Sequence, residues 1–210
     1  ENVIDVSLLE FCVREDLNKE ADRKMVVIDP VKLTITNYPE GKTEELESED
    51  NPEKDRIKKR IIPFNKHLYI EREDFKEEAN RKFFRLTTGK EVRLKSAYII
   101  KGTGVIKDAA GNIVEILCEY DPKSKSGSGT EESLRKVKGT LHWVTQKESI
   151  NIIVNSYDRL FKEEAPGSNE KGSFLDDINP DSLKVVHAKA EPSLKDVVPG
   201  DLSLIHISEP

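Results

Sequence analysis

Arg93 and Lys95 stand two apart in the segment GKEVRLKSAYIIK, residues 89–101. On an extended chain successive side chains alternate, so these two project from one face while Val92 and Leu94 project from the other. Their separation on that face is roughly 6.5–7 Å, near the spacing of successive phosphates or splayed bases. An arginine can grip a phosphate or a base edge through two parallel hydrogen bonds. Phe83, Phe84 and Tyr98 are interleaved with the cations and suit stacking on unpaired bases. The window 81–101 holds seven basic residues against one acid, Glu91, in a chain whose formal net charge is −6. That concentration points to nucleic acid. The competing reading is a solubilising sheet edge, where Lys and Arg discourage strand-to-strand association.

Other chemistries lack their residues. There is no P-loop, GxGxxG, HExxH or Ser/His/Asp signature. The GTG at 102–104 has no helix pattern after it and reads as a bulge or a close backbone approach. His67, His142, His187 and His206 are scattered singly on strand-like segments, where a histidine is structural rather than a ligand or base. No carboxylate sits in the apolar surroundings that would raise its pKa for acid–base work. Cys12 and Cys118 have no CxxC spacing and read as two buried thiols of a reducing, cytoplasmic compartment. No catalytic residue and no metal ligand is assigned.

These residues need a frame of strands. A chain of 210 residues makes one large domain or two small ones, and 36% apolar against 35% charged content implies a strongly polar surface. No apolar run approaches the ~20 residues that span a bilayer, and there is no signal-peptide pattern. The chain starts at Glu1 with Met25 as its only methionine, which reads as a piece of something longer. Residues 6–22 predict a helix with Leu8, Leu9, Cys12, Val13 and Leu17 on one stripe. After Met25 the pattern turns to period two, with MVVID and VKLTITNY broken by Pro30. Residues 39–55 carry eight acids and two lysines and read as a solvated loop or disordered excursion. Strand signals then recur in HLYIER, KEVRLKS, AYIIKGTGVIKD, NIVEILCEYD, KVKGTLHWV, SINIIVNSYDRLF and SLKVVHAKAE, joined by turn chemistry. Short helical turns are expected in REDFKEEANRKFF and GSFLDDIN. The pattern predicts an all-β fold of two small β-barrels preceded by a short N-terminal helix.

Eight segments occur in order: REDLN (14–18), VIDPVKL (27–33), FKEEAN (75–80), GKEVRL (89–94), KVKGTLHWV (136–144), YDRLF (157–161), INPDSL (178–183) and AEPSLKD (190–196). Together they resemble the C-terminal, anticodon-binding half of the bacterial-type glutaminyl-tRNA synthetase family, to about Asp201. The resemblance implies residues 1–24 as the end of a helical connector. It implies 25–38 with 139–210 as a proximal barrel, 39–138 as a distal barrel, and 202–210 as a tail foreign to the family. It implies a monomeric, cytoplasmic parent that ligates glutamine to its tRNA with ATP and magnesium, in an N-terminal catalytic domain joined in cis. The HIGH-like and KMSKS-like segments of that domain are absent here, so this part needs no cofactor and is inactive in aminoacylation by itself.

The implied partner is the anticodon loop of tRNA(Gln), with no membrane involved. Arg23 resembles the family arginine at the middle anticodon base, and Asn18 a neighbouring contact. Arg85 resembles the arginine at the third base, and Arg93 with Lys95 the pair at the first. The stretch 162–180 matches a loop running back towards the catalytic domain. Lys95 stands where family members carry arginine, so a fork becomes a point charge. Phe84 replaces a lysine, exchanging charge for stacking. Where the family continues with a strand of the kind FQFER, this chain runs LSLIHISEP. Two alternatives stay open: the same region of an archaeal or eukaryotic-type glutamyl-tRNA synthetase, and a structural or interaction barrel that binds no RNA.

Overall fold

The computed structural model describes residues 5–54, 57–80, 82–168 and 172–205; Arg81, His206 and parts of the 39–55 and 162–180 stretches lie outside them. Helix α1 (Val6–Glu20) leads into β1 (Asp22–Arg23), β2 (Val26–Ile28) and β3 (Pro30–Ile35). Next come β4 (Thr43–Glu49), β5 (Lys59–Asn65), β6 (His67–Glu71), β7 (Phe75–Lys76) and β8 (Leu86–Thr87). They are followed by β9 (Glu91–Leu94), β10 (Ile99–Lys107), β11 (Ile113–Tyr120) and the short helix α2 (Glu131–Leu134). The last strands are β12 (Thr140–Leu141), β13 (Val144–Thr145), β14 (Ile150–Tyr157), β15 (Leu183–Ala190) and β16 (Ser203–Leu204). The all-β organisation behind a single N-terminal helix is as the sequence predicts.

Seven strands in the order β12-β9-β10-β11-β3-β6-β13 form a curved half-barrel sheet. Alternation puts Val31, Leu33 and Ile35 of β3, Val92 and Leu94 of β9, and Leu68 and Ile70 of β6 into one core. The β4–β5 hairpin adds Leu46, Ile62 and Phe64 to that core. Phe64 is an aromatic hub: its ring meets Tyr38 at 5.3 Å, Tyr98 at 5.2 Å and Trp143 at 5.2 Å, edge-on to the first and last. A second, smaller core of Val26, Ala188 and Ala190 lies in the three-stranded sheet β14-β15-β2. The chain passes from β2 to β3 through Asp29, whose φ of 51° makes the turn; Pro30, which has no N–H to give, begins the next strand.

The acidic stretch 39–55 is corrected by the structure: it contains β4, paired with β5 from Thr43↔Asn65 to Glu49↔Lys59. The sequence TEELESE places Leu46 and Ser48 inward, each 2% exposed, with half-buried Glu44 on the same side, and leaves Glu45, Glu47 and Glu49 on the solvent face. Two buried positions are enough because β5 brings Ile62 and Phe64 to the same side. The short helical turn expected in REDFKEEANRKFF forms, at its start. Only Arg72–Asp74 turns helically, because Phe75 is buried and enters a parallel pair with Leu86.

The expected helix forms, with the Asp5 carboxylate accepting the Ser7 N–H at its start. None of its residues is buried, so Cys12 is exposed; only Cys118 is a buried thiol, and burial pushes its pKa up to about 12. The helix end is held by Asn51, whose Nδ2 donates to the carbonyls of Asn18, Lys19 and Ala21 at 3.1, 3.1 and 2.8 Å. The 102–104 segment is both a bulge and a close approach. The β10–β11 register shifts between Gly102 and Gly104, and a Cβ on Gly102 would lie 2.6 Å from the Thr87 carbonyl oxygen. Ser203 and Leu204 of the expected foreign tail pair in parallel with Asp22 and Arg23. No helix among the described residues is long and apolar enough to cross a membrane.

Candidate nucleic-acid interface

β9 ends at Leu94, and the chain turns through Ser96 at φ 60°. Lys95 therefore leaves the strand and enters a cleft of about 560 Å³ with Arg23, lined also by Ser48, Ser96, Ser126 and Gly127. Both ends of Lys95's backbone are pinned: its N–H donates to Leu141 O and its carbonyl accepts the Trp143 indole N–H, each at 2.9 Å. Its ammonium has no hydrogen-bond or ion-pair partner among the described residues. Burial lowers the Lys95 pKa below the ordinary lysine value, and the positive charges of Arg23 and Arg60 lower it further against the pull of Glu191. The Arg23 Nε is sealed from solvent without an acceptor. Two cationic side chains thus line one cleft, and among the described residues no protein group receives the Arg23 Nε or the Lys95 ammonium. Acids do line its rim: Glu45, Glu47 and Glu49 are there, Glu47 being tied to Lys59 at 2.8 Å.

A second cleft, of about 590 Å³, is lined by Phe83, Phe84, Arg85, Lys90, Lys101 and Lys138. Its one acid, Glu91, is engaged by Arg135 at 2.9 and 3.1 Å. Phe84 is 51% exposed, unusual for a phenyl ring, and Lys138 lies 5.1 Å from its centre. Lys76 sits 4.9 Å from the Phe83 ring. Gly139 brings the Lys138 segment in: at φ 105°, a Cβ there would lie 2.0 Å from the Phe84 carbonyl oxygen. A flat, exposed ring flanked by cations is the composition that stacks bases and neutralises their phosphates. A third cleft, around Lys32, Lys66 and Tyr69, is also cationic, with Lys42 and Lys147 on its wall, but two of its lysines are paired: Lys66 with Glu40 at 2.9 Å and Lys42 with Glu44.

Comparison with known proteins bears on what these clefts meet. Residues 21–121 and residues 140–203 match two family models, both described as the anti-codon binding domain of class I tRNA synthetases (E and Q). The chain belongs to this anticodon-binding family. It is 54% identical over 201 residues to the glutamine–tRNA ligase of Rhodopirellula baltica, covering 95% of this chain and 33% of that protein. It is 46% identical over 196 residues to the enzyme of the same name from Clostridium kluyveri, covering 93% and 35%. For that of Citrobacter koseri the identity is 46% over 200 residues, covering 95% and 35%. The chain thus spans about a third of the length of the curated relatives it matches.

Within this anticodon-binding chain the five residues singled out from the sequence fall in different places. Arg23 and Lys95 share the first cleft. Arg85 lines the second and is anchored there by Asp74, with Glu73 at 3.4 Å. Arg93 has its donors engaged internally: they reach the carbonyls of Ser124 (3.2 Å), Ser133 (2.7 Å) and Arg135 (3.5 Å) and the Ser126 hydroxyl (3.1 Å). It folds the 122–135 loop, including the Ser126–Gly127 wall of the first cleft. Asn18 lies near the end of α1, joined through its carbonyl to Asn51. Tyr98, read from sequence as a stacking ring, is 4% exposed and donates its hydroxyl to Glu44 at 2.7 Å, so it is core. Sequence reading missed Lys138, which arrives from a segment over fifty positions away from Phe84. The signal was present in Gly139, a residue whose left-handed conformation permits the close approach. Among the described residues no three His, Cys, Asp or Glu side chains gather to hold a metal ion.

Proposed function

We propose that this chain is the anticodon-reading part of a glutamine–tRNA ligase, and that its RNA partner is the anticodon loop of tRNA(Gln). The observation that carries this reading is the cleft that Arg23 and Lys95 line together, in which the Lys95 ammonium has no partner among the described residues. Bases unstacked from the loop expose their Watson–Crick edges and phosphates to such donors. Arg23 offers a planar fork for the middle base, and Lys95 a point charge for the first nucleotide. Arg85, with the Phe84 ring and Lys138, receives the third. Asn18 and Arg93 act at the margins, Arg93 by shaping the wall of the cleft. The whole enzyme, monomeric and cytoplasmic, ligates glutamine to tRNA(Gln) with ATP and magnesium through a catalytic domain preceding this one. The HIGH-like and KMSKS-like segments are absent from this sequence, and among the described residues no three His, Cys, Asp or Glu side chains gather to hold a metal ion.

The test is binding of a labelled tRNA(Gln) anticodon stem-loop at several salt concentrations. Affinity should fall with a log–log slope of about −0.7 for each phosphate neutralised on the single-stranded loop. A folded protein that binds the loop at no salt concentration, or with no salt dependence, would overturn the reading.

Lys95 adds a pH signature. Its pKa is lowered by burial and by Arg23 and Arg60, so its charge costs folding stability below that pKa, and the cost vanishes as pH rises through it towards 10.5. RNA binding has the opposite sign, because a phosphate needs the protonated amine. Affinity should therefore fall on the alkaline side before an ordinary lysine would titrate. In Lys95→Arg, which stays charged, that decline should be absent. Identical pH profiles for the two proteins would remove Lys95 from the contact.

A further inference from the structure

Arg60 lies on β5 beside the first cleft yet lines none of it. Its side chain is 8% exposed and spends every donor group on two acids and one carbonyl. Nε and Nη2 hold Glu191 in a fork at 2.5 and 2.8 Å, and Nη1 reaches Asp50 Oδ1 and the Glu49 carbonyl, both at 3.0 Å. Glu191 is 2% exposed, and Asp50 13%. Burial works against the charge on Arg60, but Glu191 and Asp50 hold its pKa above the ordinary arginine value.

Both acids then act on the backbone around Arg23. The Arg23 N–H donates to the Asp50 carbonyl at 2.6 Å, and the Lys24 ammonium reaches the Asp50 carboxylate at 3.3 Å. The Met25 N–H donates to Glu191 Oε2 at 2.8 Å, while the Glu191 N–H donates back to the Met25 carbonyl at 3.0 Å. Residues 23 to 25 are thereby gripped from two sides by acids that a single guanidinium holds in register. The same fork joins β5 of the large core to the end of β15 in the small one.

We propose that Arg60 is the positioning residue of the anticodon cleft: by clamping Asp50 and Glu191 it fixes the backbone that aims Arg23 at the base. This rests on the reading of the cleft given above. It predicts that a change at Arg60, which meets no RNA, reduces discrimination between bases rather than general affinity for RNA. Arg60→Lys keeps the charge beside Glu191 but loses the fork. Asp50→Asn keeps the carbonyl that receives Arg23 N–H but loses its hold on Arg60 and Lys24.

Two readouts on the intact chain test it. In the free protein, the Arg23 Nε–H proton, identified by its disappearance in Arg23→Lys, should exchange slowly with solvent. In Arg60→Lys that exchange should be about tenfold faster or more, with backbone resonances away from residues 23–25 unmoved. With RNA, the affinity ratio between the glutamine stem-loop and one with its middle base replaced should fall about tenfold in Arg60→Lys. The salt slope should be unchanged. Asp50→Asn should shift both readouts in the same direction and by less, and decides the matter if Arg60→Lys does not fold. Wild-type protein that binds both loops equally defeats the anticodon reading, and the exchange rate alone then judges the clamp. Unaltered exchange and an unaltered ratio in folded variants, where the wild type discriminates, overturn the role of Arg60 and leave the anticodon reading standing.

Discussion

Phe64→Ala is expected to destabilise the chain by about 3–5 kcal/mol, the usual range for removing a fully buried phenyl ring. The ring is 0% exposed and touches Tyr38, Tyr98 and Trp143 together, so no neighbour can collapse into the space without breaking another aromatic contact. Domains of this size are stable by ~5–15 kcal/mol, so the loss is a large share of the total. Urea unfolding followed by the fluorescence of the single tryptophan, Trp143, measures it. A cost under ~1 kcal/mol would mean that the β4–β5 hairpin is not part of the core. The effect should extend to function at temperatures where the variant is still folded. Trp143 packs on Phe64 and donates its indole N–H to the Lys95 carbonyl, so loosening the ring loosens the cleft.

Arg23→Ala is expected to weaken binding of the glutamine anticodon stem-loop by about 1–3 kcal/mol, with stability nearly unchanged. The fold keeps this backbone position through main-chain bonds, to the Asp50 carbonyl and in the β1–β16 pair, that alanine can also make. What disappears is a guanidinium whose Nε has no protein acceptor, so its removal leaves no buried partner unpaired. Arg23→Lys should recover the salt-dependent share of the affinity and not the base preference, since an ammonium cannot make the two parallel bonds of a fork. Anisotropy of a labelled stem-loop distinguishes these outcomes. An alanine variant that binds as tightly as the wild type would place the contact elsewhere.

Much of the fold was legible because strands bury alternate residues and end in recognisable turns. β9, β10, β11, β14 and β15 all lie within the segments that period-two alternation picks out. β4 was not legible. Its inner face presents Glu44, Leu46 and Ser48, a single apolar side chain, while its outer face is almost wholly acidic, so a scale that averages both faces reads it as solvent. The helix was visible as a stripe, but nothing local says whether a stripe is covered, and Cys12 lies exposed.

The same distinction governs the site. Charge type and facing direction are local, and they singled out Arg93 and Lys95, whereas Arg23 and Arg85 came from the family resemblance. Whether a donor is free is not local: Arg93 satisfies itself on a loop more than thirty positions away. Arg60 looks in sequence like part of a basic run at 58–60, and its partner Glu191 is 131 positions distant. Burial and pairing are decided by such contacts, which is why the clamp became visible only in three dimensions.

The most direct test of the account compares two stem-loops that share a stem and differ only in the anticodon bases, one carrying the glutamine anticodon and one unrelated. Measured against the wild-type chain at a fixed moderate salt concentration, the glutamine loop should bind at least about tenfold more tightly, as one well-placed base contact supplies. Equal affinity for the two loops would contradict it, leaving a cationic surface that holds RNA without reading it.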